Sequence, residues 1–180
     1  MKKIAQRLIT EKQSTNREKL LSVFRRNKYP FDSEFILRIA QNAKGKEQYI
    51  AFNALANLKN PEIRAFAIKS LTNDVKPQKF TIILKSNYKK GDGRLLTAII
   101  NNTRNGGLIE LLLINLIEVY TANSVKECAE PLEALYNKSN CALHRYDIVK
   151  LLIENDVLST KIKNELPFDC SENVRELACK

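Results

Sequence analysis

Apolar residues recur along this chain at three- and four-residue intervals, and no stretch alternates with period two, so helices are expected nearly throughout. Ala51, Ala54, Leu55 and Leu58 fall at i, i+3, i+4 and i+7 and form one stripe. Phe35, Ile36, Ile39 and Ala43 mark an earlier helix, with Asp32 as its cap and Gly45 suited to its end. Asn60-Pro61 places Asn at an N-cap and Pro at the first helical position, ahead of Ile63, Phe66, Ala67 and Leu71. Thr15-x-x-Glu18 and Ser124-x-x-Glu127 both have the pattern of a capping box.

Pro77 is expected to open a helix running to about Tyr88, and Asp92 to cap the next, which carries Leu95, Leu96, Ile99 and Ile100. After the break at Asn105-Gly106-Gly107, the segment from Leu108 to Tyr120 is apolar around most of its circumference, which implies burial between neighbours. Pro131 falls within the following pattern and predicts a kink or a split. A helix with Ile148, Val149, Leu151, Leu152 and Ile153 precedes two short ones near Ser159–Leu166 and Ser171–Lys180.

These amount to about eleven helices of roughly 8–15 residues, joined by turns short enough to favour antiparallel neighbours. No helix pair can bury its stripe alone, so stacking on the next pair supplies the cover, as in a solenoid. The chain has 180 residues, 44% hydrophobic and 28% charged, which suits one globular domain over 1–180. Within it, residues 1–30 read as a basic helical cap and 31–180 as the stacked pairs.

Two distant segments match in frame. Asn60-Pro-Glu-Ile-Arg-Ala-Phe-Ala67 and Ser171-Glu-Asn-Val-Arg-Glu-Leu-Ala178 share a cap, a β-branched residue, Arg, a large apolar residue and Ala. This resembles the start of the second helix of a HEAT repeat. The tail from Leu143-His144-Arg145-Tyr146-Asp147-Ile148-Val149 onward resembles the last unit of bacterial HEAT-like proteins. The resemblance implies an all-α, right-handed α–α superhelix of about five stacked antiparallel pairs. It places Ile63 and Val174 inward, Ala67 and Ala178 at close helix approaches, and Arg64 and Arg175 on carboxylates or carbonyls of an adjoining unit. Residues 77–138 lack the motif, so the repeats there are irregular or that region packs differently.

Charge changes the picture more than composition does. Residues 1–90 hold 20 Lys or Arg against 7 Asp or Glu, whereas residues 91–180 hold 10 against 13. A basic half attracts an acidic protein face, nucleic acid or an anionic membrane surface. Arg25, Arg26 and Lys28 cluster beside Tyr29, and Lys89, Lys90 and Arg94 surround Gly91-Asp92-Gly93. Both clusters are candidate contact sites, and solvated surface explains either equally in kind. The second is not a phosphate loop, since it lacks Gly-Lys-Ser/Thr and no strand precedes it.

No arrangement of residues points to catalysis, so a non-enzymatic protein needing no cofactor is expected. Cys141 and His144 lie three residues apart and, with Cys170 and Cys179, would supply the types of a zinc site. Structural zinc normally shows paired ligands at close spacing and only this one pair qualifies, so reduced structural thiols are the plainer reading. The amino terminus has no apolar run of a secretory signal, and Leu108–Tyr120, interrupted by Glu110 and Glu118, is too short to cross a bilayer. A cytoplasmic protein follows.

Two functions remain. Bacterial HEAT-like proteins include adaptors and immunity proteins that block a toxin, which implies docking to a protein with an acidic surface. Nucleic-acid binding through the basic half is the alternative. HEAT-like DNA glycosylases rely on Trp facing their groove, and this chain has none.

Overall fold

The computed structural model describes the backbone of residues 1–179 and the side chains of residues 1–178. Among the described residues there is no strand; eleven α-helices and short 3-10 segments follow one another. In chain order these are α1 (Lys2–Thr10), α2 (Ser14–Ser22), α3 (Glu34–Asn42), α4 (Gly45–Leu55), α5 (Pro61–Asn73), α6 (Asp92–Asn102), α7 (Gly106–Ala122), α8 (Ala129–Tyr136), α9 (Ala142–Glu154), α10 (Thr160–Glu165) and α11 (Glu172–Glu176). A ten-residue 3-10 helix, Pro77–Ser86, lies between α5 and α6.

The chain gathers into two compact units, Met1–Tyr88 and Lys89–Lys180. In the first, α1 packs on α2, α3 on α4 and α5 on the 3-10 helix, while α2, α4 and the 3-10 helix pack side by side. Residues 1–30 pack on the rest of this unit through α2. In the second unit α6 packs on α8, α7 on α9, α8 on α9 and α9 on α11.

Helix α4 shows how packing extends the sequence pattern. Its stripe is buried as expected, yet Ile50, Phe52 and Asn53 are buried as well. Neighbours on three sides leave residues 50–55 buried all round, while Gly45 and Lys46 at the start of the helix stay exposed. Phe52, Phe66 and Phe80 meet there, with ring centroids 4.8–6.4 Å apart, within the range of favourable aromatic contact.

Several local expectations are corrected. Thr15 and Glu18 form no capping box, because α2 already begins at Ser14 and Thr15 lies inside it. The second box also fails: Ser124 Oγ donates to Asn155, and Glu127 accepts from the Gly91 amide. Gly45 opens α4 with φ +60° rather than closing α3. The helix after Pro77 is wound as 3-10, with Phe80 to Leu84 all buried. Asp92 accepts from the Lys89 amide at 2.8 Å and sits within α6, behind Gly91 at φ +98°. Helix α7 is not covered all round: Leu112, Leu113, Leu116 and Val119 are buried, but Ile114 is 43% exposed. Pro131 marks no break: it sits in the first turn of α8, where its missing amide hydrogen is not needed, and the change of winding comes earlier, where a 3-10 turn over Lys126–Cys128 leads into α8.

Candidate interaction site

The site begins with asparagines. Asn27, Asn57 and Asn87 are spaced thirty residues apart, each at the carboxyl end of the second helix of a pair. Each side chain donates to the carbonyl four residues back, on Val23, Asn53 and Ile83 respectively. This satisfies one of the carbonyls a helix end leaves open. Asn123 and Asn155 close α7 and α9 in the same way, on Val119 and Leu151.

The amides then reach across to the preceding helix end. Asn57 Nδ2 donates to the Phe24 and Arg25 carbonyls, both at 2.9 Å. Asn87 Nδ2 donates to the Leu58 carbonyl at 2.8 Å, while its Oδ1 accepts from the Asn60 amide at 3.1 Å. Asn60 Nδ2 donates to Ser33 Oγ at 3.1 Å. Three helix-end loops of the first unit are therefore laced together. In the second unit Ser124 Oγ donates to Asn155 Oδ1 at 2.9 Å.

In the first unit a Lys follows the asparagine by one or two residues: Lys28 after Asn27 and Lys59 after Asn57. The laced loops hold Arg25, Arg26, Lys28 and Lys59 exposed, and no ion pair joins these four to a carboxylate among the described residues. Residues 1–88 carry 18 Lys or Arg against 7 Asp or Glu. Of those carboxylates, Glu47 is taken by Arg17 through a bidentate pair at 2.6 and 2.9 Å, and Glu18 lies 3.6 Å from Lys46. The four cations of these loops thus stand without ion pairs among the described residues, with the exposed Asp32, Glu34 and Glu62 a few residues further along the chain. Tyr29, expected beside the cluster as an aromatic, is only 2% exposed and packs edge-on against Phe24 and Phe31.

Lys89, Lys90 and Arg94 are likewise exposed, in the second unit. They occupy the corresponding place of the repeat: Asn57-Leu-Lys-Asn-Pro-Glu-Ile-Arg64 matches Asn87-Tyr-Lys-Lys-Gly-Asp-Gly-Arg94 at Asn, Lys, the acidic residue and Arg. That thirty-residue register was present in the sequence, and it identifies Asn57, Asn87 and Lys59, which clustering of charge alone passed over.

The two repeat arginines both meet carbonyls. Arg64 Nη1 donates to the Asn87 carbonyl at 2.6 Å, and Arg175 Nη1 to the Asp169 carbonyl at 2.8 Å. Ile63, Val174 and Ala67 are fully buried, while Ala178 is half-buried.

The cysteine and histidine candidates are placed as follows. Cys141 is half-buried at the start of α9. His144 turns its buried Nδ1 toward Glu110 of α7, 3.4 Å from Oε1 and off the line of a hydrogen bond. Arg145 grips Asp169 with two hydrogen bonds, at 2.8 and 3.0 Å, and Nη2 also donates to the exposed Cys170 Sγ at 3.3 Å. That guanidinium holds the Asp169 carboxyl below the usual carboxylate range. Burial pushes the Cys128 thiol up to about 11. Among the described residues no three His, Cys, Asp or Glu side chains gather as metal ligands; the Cys179 side chain lies outside those described. No described helix is long and apolar enough to cross a membrane.

Comparison with known proteins returns no matching family model, no similar curated protein and no similar solved structure.

Proposed function

We propose that this chain is a non-enzymatic, HEAT-like repeat protein whose stacked helix pairs wind as a right-handed superhelix and dock another protein through an acidic surface of that partner. The asparagine register carries the reading. A thirty-residue period of helix pairs, with the asparagine at each later helix end tied to the helix end before it, would let a solenoid keep register while each repeat touches only its neighbours. Such stacks commonly supply extended docking surfaces. Opposite charge on the partner would speed its encounter with the basic unit. The resemblance to bacterial HEAT-like proteins narrows the role to a cytoplasmic adaptor, or an immunity protein bound to a toxin.

Capture from the native cell tests this: tagged chain should retain one protein at fixed stoichiometry through a gradient to about 0.3 M salt, where long-range attraction is largely screened. Retention of nucleic acid alone would overturn it. That second reading draws on the excess of basic residues in the first unit. Nucleic-acid binding would fall steeply with salt, in proportion to the phosphates neutralised.

A further inference from the structure

We infer that the docking edge of the first unit is the laced loop row Arg25–Lys28 and Asn57–Asn60, and that it fits an acidic protein segment rather than a phosphate backbone. The inference rests on the docking reading above and adds the contact residues and the chemistry of the partner. Lys59 is central to it. Its neighbour Leu58 and the following Asn60 are both bonded to Asn87, and Asn57 is bonded to Phe24 and Arg25. The backbone beneath Arg25 and Lys59 is thereby fixed before any partner arrives, which removes ordering cost from binding. Stacked helices sit about 8–10 Å apart, so the cation clusters at successive helix ends repeat at about that distance. A polyproline II segment has three residues per turn and rises about 3.1 Å per residue, so a carboxylate at every third residue stays on one face and keeps step with the row.

Two features select carboxylates over phosphates. Exposed acidic residues follow the cations closely in the chain: Asp32 and Glu34, the first residue of α3, after Lys28, and Glu62, in the first turn of α5, after Lys59. They would repel a continuous phosphate backbone, whereas a protein partner can place neutral or basic residues against them. Tyr29, the aromatic within the cluster, is buried and engaged by Phe24 and Phe31, so it offers no stacking face, and Phe31, 38% exposed, makes no platform for successive bases by itself.

The test compares the full chain with the edge variant R25E/R26E/K59E and with K2E/K3E/K12E, an equal charge change at exposed residues of the amino-terminal helix region. The probes are an acidic peptide of about 20 residues, with Glu at every third position and neutral residues between, and duplex and single-stranded DNA of about 20 nucleotides, at about 0.15 M salt, where the Debye length is about 8 Å. Circular dichroism and the thermal midpoint confirm that both variants fold. The expected result is at least a tenfold loss of affinity for the acidic peptide in the edge variant and less than a twofold loss in the control. Equal losses in the two variants would overturn the inference, as would tighter DNA binding that the edge variant alone abolishes. A captured protein partner held undiminished by the edge variant would also overturn it, while leaving the docking reading intact.

Discussion

The side-chain amide of Asn57 lies 2.9 Å from the backbone carbonyls of both Phe24 and Arg25, thirty-odd residues earlier in the chain. It converts two unsatisfied helix-end acceptors into a tie between neighbouring pairs. Asn87 repeats the tie on Leu58 and is more buried, at 5% exposure.

Replacing Asn87 by Ala should destabilise the protein by about 2–3 kcal/mol, because the Leu58 carbonyl and the Asn60 amide lose partners in a buried place. Asn87→Asp should be no better, since its carboxylate would face the Leu58 and Ile83 carbonyls. Asn57→Ala, at a half-buried position, should lose about 1–2 kcal/mol. Urea unfolding measures all three. A neutral Asn87→Ala would show that the ties are incidental.

Lys138, just past α8, donates from Nζ to the carbonyls of Ile100, Asn101 and Thr103, at 2.7, 3.1 and 2.8 Å. A cation at the negative end of α6 is also favoured by the helix dipole. Lys138→Met keeps the aliphatic stem and removes the charge; it should cost about 1–2 kcal/mol. Hydrogen exchange should show the carboxyl end of α6 opening first in that variant. Unchanged exchange there would refute the capping role.

The Arg145–Asp169 pair should leave a signature at acid pH. Its hydrogen bonds lower the Asp169 pKa in the folded chain, so the stabilisation is present above the unfolded value and is lost as pH falls below about 4. Asp169→Asn should therefore be less stable than the parent by about 2 kcal/mol at pH 7, with the gap narrowing toward pH 3 or below. A gap independent of pH would mean that charge plays no part in this contact.

Thiol labelling should rank the described cysteines by environment. Cys170 is exposed and Cys128 is buried with a pKa of about 11. At pH 8 only about 0.1% of the Cys128 thiol would be thiolate. Labelling followed by peptide mass mapping should find Cys170 modified first, Cys141 more slowly, and Cys128 only after unfolding. Early modification of Cys128 in the folded chain would contradict its burial.

Sequence alone determined the helical class and most helix positions, because periodicity at three and four residues is a local property of the chain. Asn60-Pro61 shows how direct this can be: Asn60 Oδ1 accepts from the Glu62 amide at 2.7 Å, and α5 begins at Pro61 as the cap predicts. The candidate cations were legible as clustered charge, and all six stand exposed. Tertiary structure decided what local patterns cannot. Ser124 and Glu127 had the spacing of a capping box, but each found a better-placed partner outside its own turn, in Asn155 and Gly91. Likewise the significance of Asn57 depends on carbonyls more than thirty positions away, which come within reach only when one helix pair lies on the next. A polar side chain chooses among all groups that packing brings near it, and the sequence lists only those adjacent along the chain.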